Sequence, residues 1–154
     1  MPMVLSTRVI DSDEALQAAL ALRVKVFVDE QKVPSDEEVD HYDALPESSV
    51  GALHVLTSGD NQALGTGRLI YAKDPKEPAK IGRVAVSRSA RGLGVGRAVM
   101  ERLHLEAKKR GVMVIELGAQ LHAIPFYEKL GYAAYGGIFL DAKIAHRMMR
   151  VTLR

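Results

Sequence analysis

Residues 81–97 read Ile-Gly-Arg-Val-Ala-Val-Ser-Arg-Ser-Ala-Arg-Gly-Leu-Gly-Val-Gly-Arg, a short apolar strand that runs into a loop with glycine at every second position. An arginine flanks the loop on each side, and a helical pattern follows it. A glycine-rich backbone can turn several N–H groups toward one point, and the start of a helix adds the positive end of its dipole. The segment therefore predicts a site for a phosphate or pyrophosphate, and hence a nucleotide-bearing ligand.

The composition is that of one globular domain, which we expect to span residues 1–154. The chain is 47% hydrophobic and 26% charged, and no segment approaches the ~18 apolar residues of a membrane span. With no signal-peptide pattern, we expect a cytoplasmic protein without a membrane partner. The absence of cysteine excludes disulfides and a covalent acyl-cysteine intermediate. The net charge of +2 is too small to favour nucleic acid, and the five histidines lack metal-ligand spacing, so no metal is expected.

Hydrophobic periodicity on both sides of the loop predicts alternating strands and helices. Strands are expected over 3–10, 50–56, 63–71, 81–86, 112–117, 132–135 and 145–153, with a turn over 58–61. Helices are expected after an N-cap at Ser12, over 95–110 and over 123–130. Their order is that of a mixed β-sheet flanked by helices, an α/β fold. The two longer helices present the apolar faces Leu16, Leu20, Val24, Phe27 and Val95, Val99, Leu103, Ala107.

Taken alone, the glycine loop leaves several readings open. A tight strand-to-helix turn would also require glycine. A P-loop is excluded because no Gly-Lys-Ser/Thr follows, and a dinucleotide fingerprint would need a small residue where Val99 stands.

Two blocks together resemble the GNAT acetyltransferase superfamily. Residues 91–96, Arg-Gly-Leu-Gly-Val-Gly, resemble its acyl-CoA-binding turn, and residues 126–132, Phe-Tyr-Glu-Lys-Leu-Gly-Tyr, are similar to its Phe-Tyr-x-x-x-Gly-Phe segment. Residues 23–34 and 38–43 resemble the N-terminal signature of the ElaA-like branch. Residues 144–148 resemble that branch's closing strand, with Ala145 in place of proline.

The resemblance implies transfer of an acetyl group from acetyl-CoA, as co-substrate, to the primary amine of a small molecule in a ternary complex. The backbone of the loop, with two flanking arginines, would hold the pyrophosphate, and the preceding strand would pair with the pantetheine arm and place an N–H near the thioester oxygen. The resemblance assigns coenzyme binding to Val84, Ala85, Val86, Arg91, Gly92, Leu93, Gly94, Val95, Gly96, Arg97, Phe126 and Lys129. Packing alone is an alternative role for Phe126.

The resemblance also implies the catalytic groups. Tyr127 stands at the family's position for the acid near the coenzyme sulfur, with core packing as the alternative role. The strand before the loop carries no glutamate, so His146 is the candidate base, because a histidine side chain titrates near pH ~6.5. A structural histidine at a sheet end, Glu116 as base, and a water-mediated route remain open.

The acceptor site is less defined. Arg83 matches a substrate-binding arginine of related enzymes, and Arg23 lies near the acidic segment 29–43. Two such arginines would favour a small anionic amine, whereas Arg83 could instead pair with the acidic segment. That segment is either a solvated, mobile loop or a substrate lid. A homodimer is a further implication of the resemblance. The alternative functions are an acyl-CoA-binding sensor or interaction module without turnover and a nucleotide-binding regulator.

Overall fold

The computed structural model describes residues 3–45 and 51–154. Val50, the expected first residue of the second strand, lies outside these residues. The strands are β1 Ser6–Val9, β2 Ala52–Gly59, β3 Gln62–Ile70, β4 Ala79–Val86, β5 Val114–Gln120, β6 Ala133–Asp141 and β7 Ile144–Thr152. The helices are α1 Asp13–Arg23 with a π-helical extension Val24–Glu30, α2 Ser35–Glu38, α3 Val95–Lys109 and α4 Ile124–Glu128, with 3-10 turns at Arg88–Ala90 and Leu121–Ala123.

The described strands form one mixed sheet in the order β1-β2-β3-β4-β5-β7-β6, which confirms the α/β architecture. The pairs are antiparallel except β4 with β5, which are parallel. This parallel ladder contains only Ala79 opposite Ile115 and Lys80 opposite Glu116. Beyond Lys80 the two central strands part, and a cleft opens between them.

Strand β4 contains a β-bulge where it pairs with β3. Thr66 of β3 lies opposite Ala85 and Arg68 lies opposite Gly82, so Arg83 and Val84 together face Gly67. Arg83 has a positive φ of 53°, a conformation that bulges use to turn a strand. The bulge therefore lies within residues 81–86, the part of β4 that borders the cleft.

Helix α3 follows the glycine loop and packs on β3 and β4. Its predicted apolar face is confirmed, because Val95, Val99, Leu103 and Ala107 are all buried. Gly111 has a φ of 78°, and the N–H of Val112 donates to the carbonyl of Ala107, which ends the helix as expected.

The prediction for the first helix is right at its start and wrong at its end. The Ser12 side chain accepts the N–H of Ala15, as expected for the N-cap. Val24, however, is 38% exposed. From Val24 onward the chain is π-helical, and the N–H of Gln31 donates to the carbonyl of Val26, five residues earlier. This wider turn changes the helical phase, so that Val26 is buried in place of Val24.

Several strand boundaries differ from the sequence prediction because cross-strand hydrogen bonding decides them; β1, for example, covers only Ser6–Val9 of the expected 3–10. Strand β2 includes Ser58 and Gly59, so the turn contains only Asp60 and Asn61, with φ of 49° and 61°. Strand β5 begins two residues later than expected and continues to Gln120, where it faces His146 of β7. Strand β6 continues past a bulge near Gly136 to Asp141.

A glycine pair tests the packing of α3 on β3. A Cβ at Gly67 would lie 2.7 Å from Val99 Cγ1 and 2.8 Å from Leu103 Cδ1. We expect Gly67→Ala to lower the free energy of unfolding by about 1–3 kcal/mol, because the helix must shift. The measurement is denaturant unfolding.

The matched control is Gly82→Ala in the neighbouring strand. A Cβ at Gly82 would meet no atom within 4 Å, so this variant should be as stable as the wild type or slightly more stable. Equal destabilisation of the two variants would contradict the packing argument.

Candidate active site

A cleft of about 810 Å³ lies where β4 and β5 part. Residues 81–86 of β4 form one wall, and the end of β5, from Leu117 to Gln120, contributes to the other. The π-helical segment, α2 and the turn between β6 and β7 complete the lining. Because β4 has no pairing partner in β5 beyond Lys80, this stretch can pair with an extended ligand as a sheet edge does.

The glycine loop leads from this wall into α3. Gly92 and Gly94 have φ of 81° and 84°, a region that side chains disfavour. Gly94 precedes the helix and no side chain caps the first turn, so the N–H groups of Val95, Gly96 and Arg97 have no partner within the helix. A Cβ at Gly92 or Gly94 would meet no atom within 4 Å. The loop thus presents unpaired donors beside open space, which suits an anion.

Only some of the residues that the resemblance assigns to coenzyme binding border the cleft. Val84, Ala85, Val86 and Arg91 border the cleft. Leu93 and Lys129 are exposed, and Arg97 pairs with Glu101 at 2.7 Å on the surface of α3.

Phe126 packs against the first turn of α3 at Gly96. A Cβ on Gly96 would lie 3.2 Å from Phe126 Cζ, so the glycine permits close approach of α3 and α4. The Phe126 ring also packs edge-on against the ring of Tyr127 at 5.0 Å. These contacts are those of a packing residue.

Arg91 lies between the loop and the π-helical segment. Its Nη2 donates to both carboxylate oxygens of Glu30, at 3.0 and 2.9 Å, and to the carbonyl of Val86 at 3.2 Å. Its charge is therefore matched by Glu30, while its position at the cleft is fixed by the backbone of β4.

Tyr127 borders the cleft from α4. The ring is buried, and its hydroxyl has no hydrogen-bond partner among the described residues. Burial raises the pKa of Tyr127 to about 12, because the phenolate is disfavoured away from water. The hydroxyl therefore stays protonated at neutral pH and can donate a proton.

His146 borders the same cleft from β7. Its Nδ1 lies 2.6 Å from the carbonyl of Ile144. A carbonyl only accepts, so Nδ1 carries the hydrogen and Nε2 of the neutral ring keeps a lone pair. The ring stacks on Phe139 at 5.6 Å. These contacts fix a tautomer in which Nε2 can accept a proton.

Glu116, the alternative base, does not border the cleft. Its carboxylate accepts a hydrogen bond from Arg150 Nη1 at 3.2 Å. This arrangement favours His146 over Glu116.

Arg23 does not reach the cleft that it was expected to line. It is 1% exposed, and its guanidinium pairs with Glu38 at 2.9 Å and with Asp43 at 2.6 Å. Arg68 pairs in turn with Asp40 at 2.7 Å and with Asp43 at 3.2 Å. Arg23 therefore positions the acidic segment and does not touch an acceptor in the cleft.

The acidic segment is ordered by these pairs. The reading of 29–43 as a solvated loop is wrong for Glu38 and Asp43, whose side chains are 1% exposed. Burial by itself raises the pKa of Asp43, but hydrogen bonds from Arg23 and from the N–H of Asp40, with the charges of two arginines, outweigh it and lower that pKa. Burial lowers the pKa of His54, whose Nε2 donates to the carbonyl of Tyr42 at 3.0 Å.

Arg83 is the predicted acceptor-binding residue that the structure does place at the cleft. Its Nε and Nη2 donate to the carbonyls of Glu38 and Glu37 at 3.0 and 3.3 Å. It also faces the carboxylates of Glu38 at 3.4 Å and Asp40 at 3.6 Å. The alternative in which Arg83 pairs with the acidic segment is thus confirmed.

The sequence analysis did not single out the pair Gln31 and Gln120. Gln120 Nε2 donates to Gln31 Oε1 at 2.8 Å, and Gln31 Nε2 donates back to Gln120 Oε1 at 3.2 Å. The pair joins the end of the π-helical segment to the end of β5. No local pattern could reveal it, because the two residues are 89 positions apart.

Two other features bear on the site. Within residues 3–45 and 51–154, no three His, Asp or Glu side chains are grouped as a metal site would require. No helix in the described part of the chain has the length and apolar character needed to span a membrane.

Comparisons with known proteins agree with this geometry. A family model described as an acetyltransferase (GNAT) domain matches residues 23–153. The chain is 36% identical to the Bacillus subtilis protein named "Uncharacterized N-acetyltransferase YjcF", over 90% of this chain and 93% of that protein. It is 31% identical to Protein ElaA of Escherichia coli, over 85% of this chain and 83% of that protein.

Solved structures give the same result. The crystal structure of Escherichia coli ElaA superposes with a TM-score of 0.82 at 27% identity, covering 96% of this chain and 99% of that chain. An acyl-CoA N-acyltransferase from Pseudomonas aeruginosa superposes with a TM-score of 0.80 at 33% identity, covering 97% of this chain and 100% of that chain.

The buried arginine offers a test of what holds the acidic segment. Arg23→Gln leaves the carboxylates of Glu38 and Asp43 without their closest cation, so we expect a loss of about 3 kcal/mol in the free energy of unfolding. The control is Arg8→Gln, at an exposed position of β1, which should change stability by less than about 0.5 kcal/mol. Denaturant unfolding at neutral pH measures both, and equal values would show that the network contributes nothing.

Proposed function

The chain belongs to the GNAT acetyltransferase family, in its ElaA-like branch, and we propose that it transfers an acetyl group from acetyl-CoA to the primary amine of a small molecule. We further propose that residues 1–154 act as a single domain and that the amine attacks directly in a ternary complex. One observation carries the proposal: the cleft between β4 and β5 is bordered by both a protonated tyrosine and a histidine with a free Nε2.

The chain's features fit the coenzyme. Unpaired N–H groups at the start of α3, beside the open space at Gly92 and Gly94, support binding of the pyrophosphate. The part of β4 that no longer pairs with β5 supports pairing with the amide-containing pantetheine arm. Acetyl-CoA would supply the thioester carbonyl that the amine attacks, and a backbone N–H of residues 84–86 would face the oxygen of that carbonyl as negative charge develops.

His146 and Tyr127 would move the protons. The attacking nitrogen forms a bond to the carbonyl carbon while the bond from that carbon to sulfur breaks. Nε2 of His146 accepts the proton that the amine loses, and the Tyr127 hydroxyl gives a proton to the departing sulfur. The hydrogen bond from Nδ1 to the Ile144 carbonyl stabilises the imidazolium formed in this step.

The role of Tyr127 is tested by removing its hydroxyl. We expect Tyr127→Phe to lower kcat by about 100-fold, because an acid of this kind typically contributes that much or more, while the Kd for acetyl-CoA stays the same. Thiol release from acetyl-CoA with a panel of amines measures the rate, and calorimetry measures the affinity. The control is Tyr135→Phe, on the exposed surface of β6.

The same experiment separates an enzyme from a coenzyme sensor. A non-catalytic acyl-CoA-binding protein would bind acetyl-CoA yet release no thiol with any amine. An unchanged rate in Tyr127→Phe would show that the Tyr127 side chain serves only packing and does not act as the acid.

The role of His146 is tested by the pH dependence of kcat/KM. In the wild type the rate should fall on the acid side, because a protonated imidazole cannot accept a proton. Loss of the Tyr127 proton should not lower the rate between about pH 8 and pH 10. An ordinary tyrosine titrates near pH ~10, but burial raises the pKa of Tyr127 to about 12.

His146→Asn should lower the rate by about 100-fold at neutral pH and remove the part of the acid-side fall that comes from the imidazole, while the fall caused by protonation of the acceptor amine remains. The control is His41→Asn, at an exposed position outside the cleft, which should keep the wild-type profile. A wild-type profile in His146→Asn would exclude His146 as the base.

A further inference from the structure

We propose that the acceptor carries a second positive charge besides its reacting amine and that carboxylates on the cleft wall bind this charge. The inference rests on the proposed acetyl transfer and names the class of acceptor: a diamine or another amine with a cationic tail. It reverses the anionic acceptor expected from the two predicted arginines. The charged side chains at the cleft differ in whether they already have a partner of opposite charge.

The lysine or arginine side chains at the cleft are already paired with carboxylates. Among the described residues, Arg83 and Arg91 are the only lysines or arginines that border it. Arg83 faces the carboxylates of Glu38 and Asp40, and Arg91 faces the carboxylate of Glu30. An anionic acceptor would have to compete with these carboxylates, so the cleft does not favour a negative tail.

Two carboxylates at the cleft have no ion-pair partner among the described residues. Glu37 of α2 and Asp141 at the end of β6 both border it. Neither makes an ion pair with a cationic side chain of residues 3–45 or 51–154. Glu37 and Asp141 lie on separate elements that meet at the cleft. The unpaired negative charge is therefore a feature of the cleft and not of a single loop.

A third carboxylate supplies an independent observation. Glu38 is 2% exposed and borders the same cleft. Its Oε1 accepts from Arg23 Nε at 2.9 Å, but its Oε2 is buried without a hydrogen-bond partner in the described structure. A buried carboxylate oxygen without a donor is unfavourable. Glu38 borders the cleft, so an N–H donor bound there is the partner that we infer for this oxygen.

These carboxylates are better suited to bind a second charged group of the acceptor than to bind its reacting amine. The attacking nitrogen must lose its proton, and a carboxylate beside it would favour the protonated form. An ammonium or guanidinium group a few carbons away keeps its charge throughout the reaction. Carboxylates can therefore bind it equally well before and during transfer and orient the neutral end toward His146.

Three acceptors of similar length test the proposal: putrescine, butylamine and γ-aminobutyrate, which differ in a cationic, neutral or anionic tail. With the full-length protein we expect kcat/KM for thiol release to be highest with putrescine, by about tenfold over butylamine, and lowest with γ-aminobutyrate. Calorimetry on the protein saturated with CoA should give the same order of affinity. Equal values, or a preference for γ-aminobutyrate, would overturn the proposal.

Two variants locate the charge. Glu37→Gln and Asp141→Asn should each raise KM for putrescine about threefold, and together about tenfold, as expected for partly exposed ion pairs. KM for butylamine and the Kd for acetyl-CoA should not change. The matched control is Asp36→Asn, an exposed carboxylate of the same short helix that does not border the cleft. A putrescine preference that survives in the double variant would overturn this assignment.

Failure of the acceptor assignment and failure of the proposed function give different results. If no amine releases thiol but putrescine still binds better than butylamine, and the double variant loses that preference, the carboxylate site stands and the transfer proposal fails. If thiol is released with butylamine as readily as with putrescine, transfer stands and the cationic acceptor is excluded.

Discussion

The candidate active site depends on the parting of two parallel strands. Strands β4 and β5 share only two register pairs, and beyond them each strand has backbone groups without a neighbour on that side. Such groups are unfavourable unless water or a ligand binds them. The bulge at Arg83 lies within the stretch of β4 that borders the cleft, and the glycine loop continues from the end of this strand into α3. The parting of the strands thus creates the cleft, and the glycine loop with its unpaired N–H groups follows directly after the strand that forms one wall.

The second constraint is electrostatic. Segment 35–43 closes one side of the cleft and is held there by Arg23, Arg68 and Arg83. Burying so many charges is favourable only when each finds a partner, and the near-complete pairing explains why an acidic stretch is ordered. Two buried atoms of this network have no hydrogen-bond partner in the described structure, Glu38 Oε2 and Arg68 Nε. Glu37 and Asp141 border the cleft without an ion-pair partner among the described residues, so the cleft keeps unpaired negative charge.

Two side chains can provide proton transfer at the cleft. Tyr127 can act as an acid because its hydroxyl is protonated at neutral pH and the residue borders the cleft, and His146 can act as a base because the Ile144 carbonyl fixes its tautomer. The Gln31 and Gln120 pair joins the end of the π-helical segment to the end of β5, and both residues border the cleft. His104 and Tyr132, which are hydrogen-bonded to each other, do not border it.

The sequence alone determined the strand and helix order, the apolar face of α3 and the glycine loop, because each follows from local periodicity or from backbone conformations that glycine permits. The two family blocks located Tyr127, and the closing-strand segment located His146. The tertiary structure decided the rest. The burial of Arg23 away from the cleft and the contact between Gln31 and Gln120 arise between residues far apart in the chain. The π-helical turn that buries Val26 in place of Val24 is local, but a search for the ordinary helical period does not detect it. Local patterns carry no information on contacts between distant residues, since which charge pairs with which depends on how the sheet and the N-terminal segment pack together.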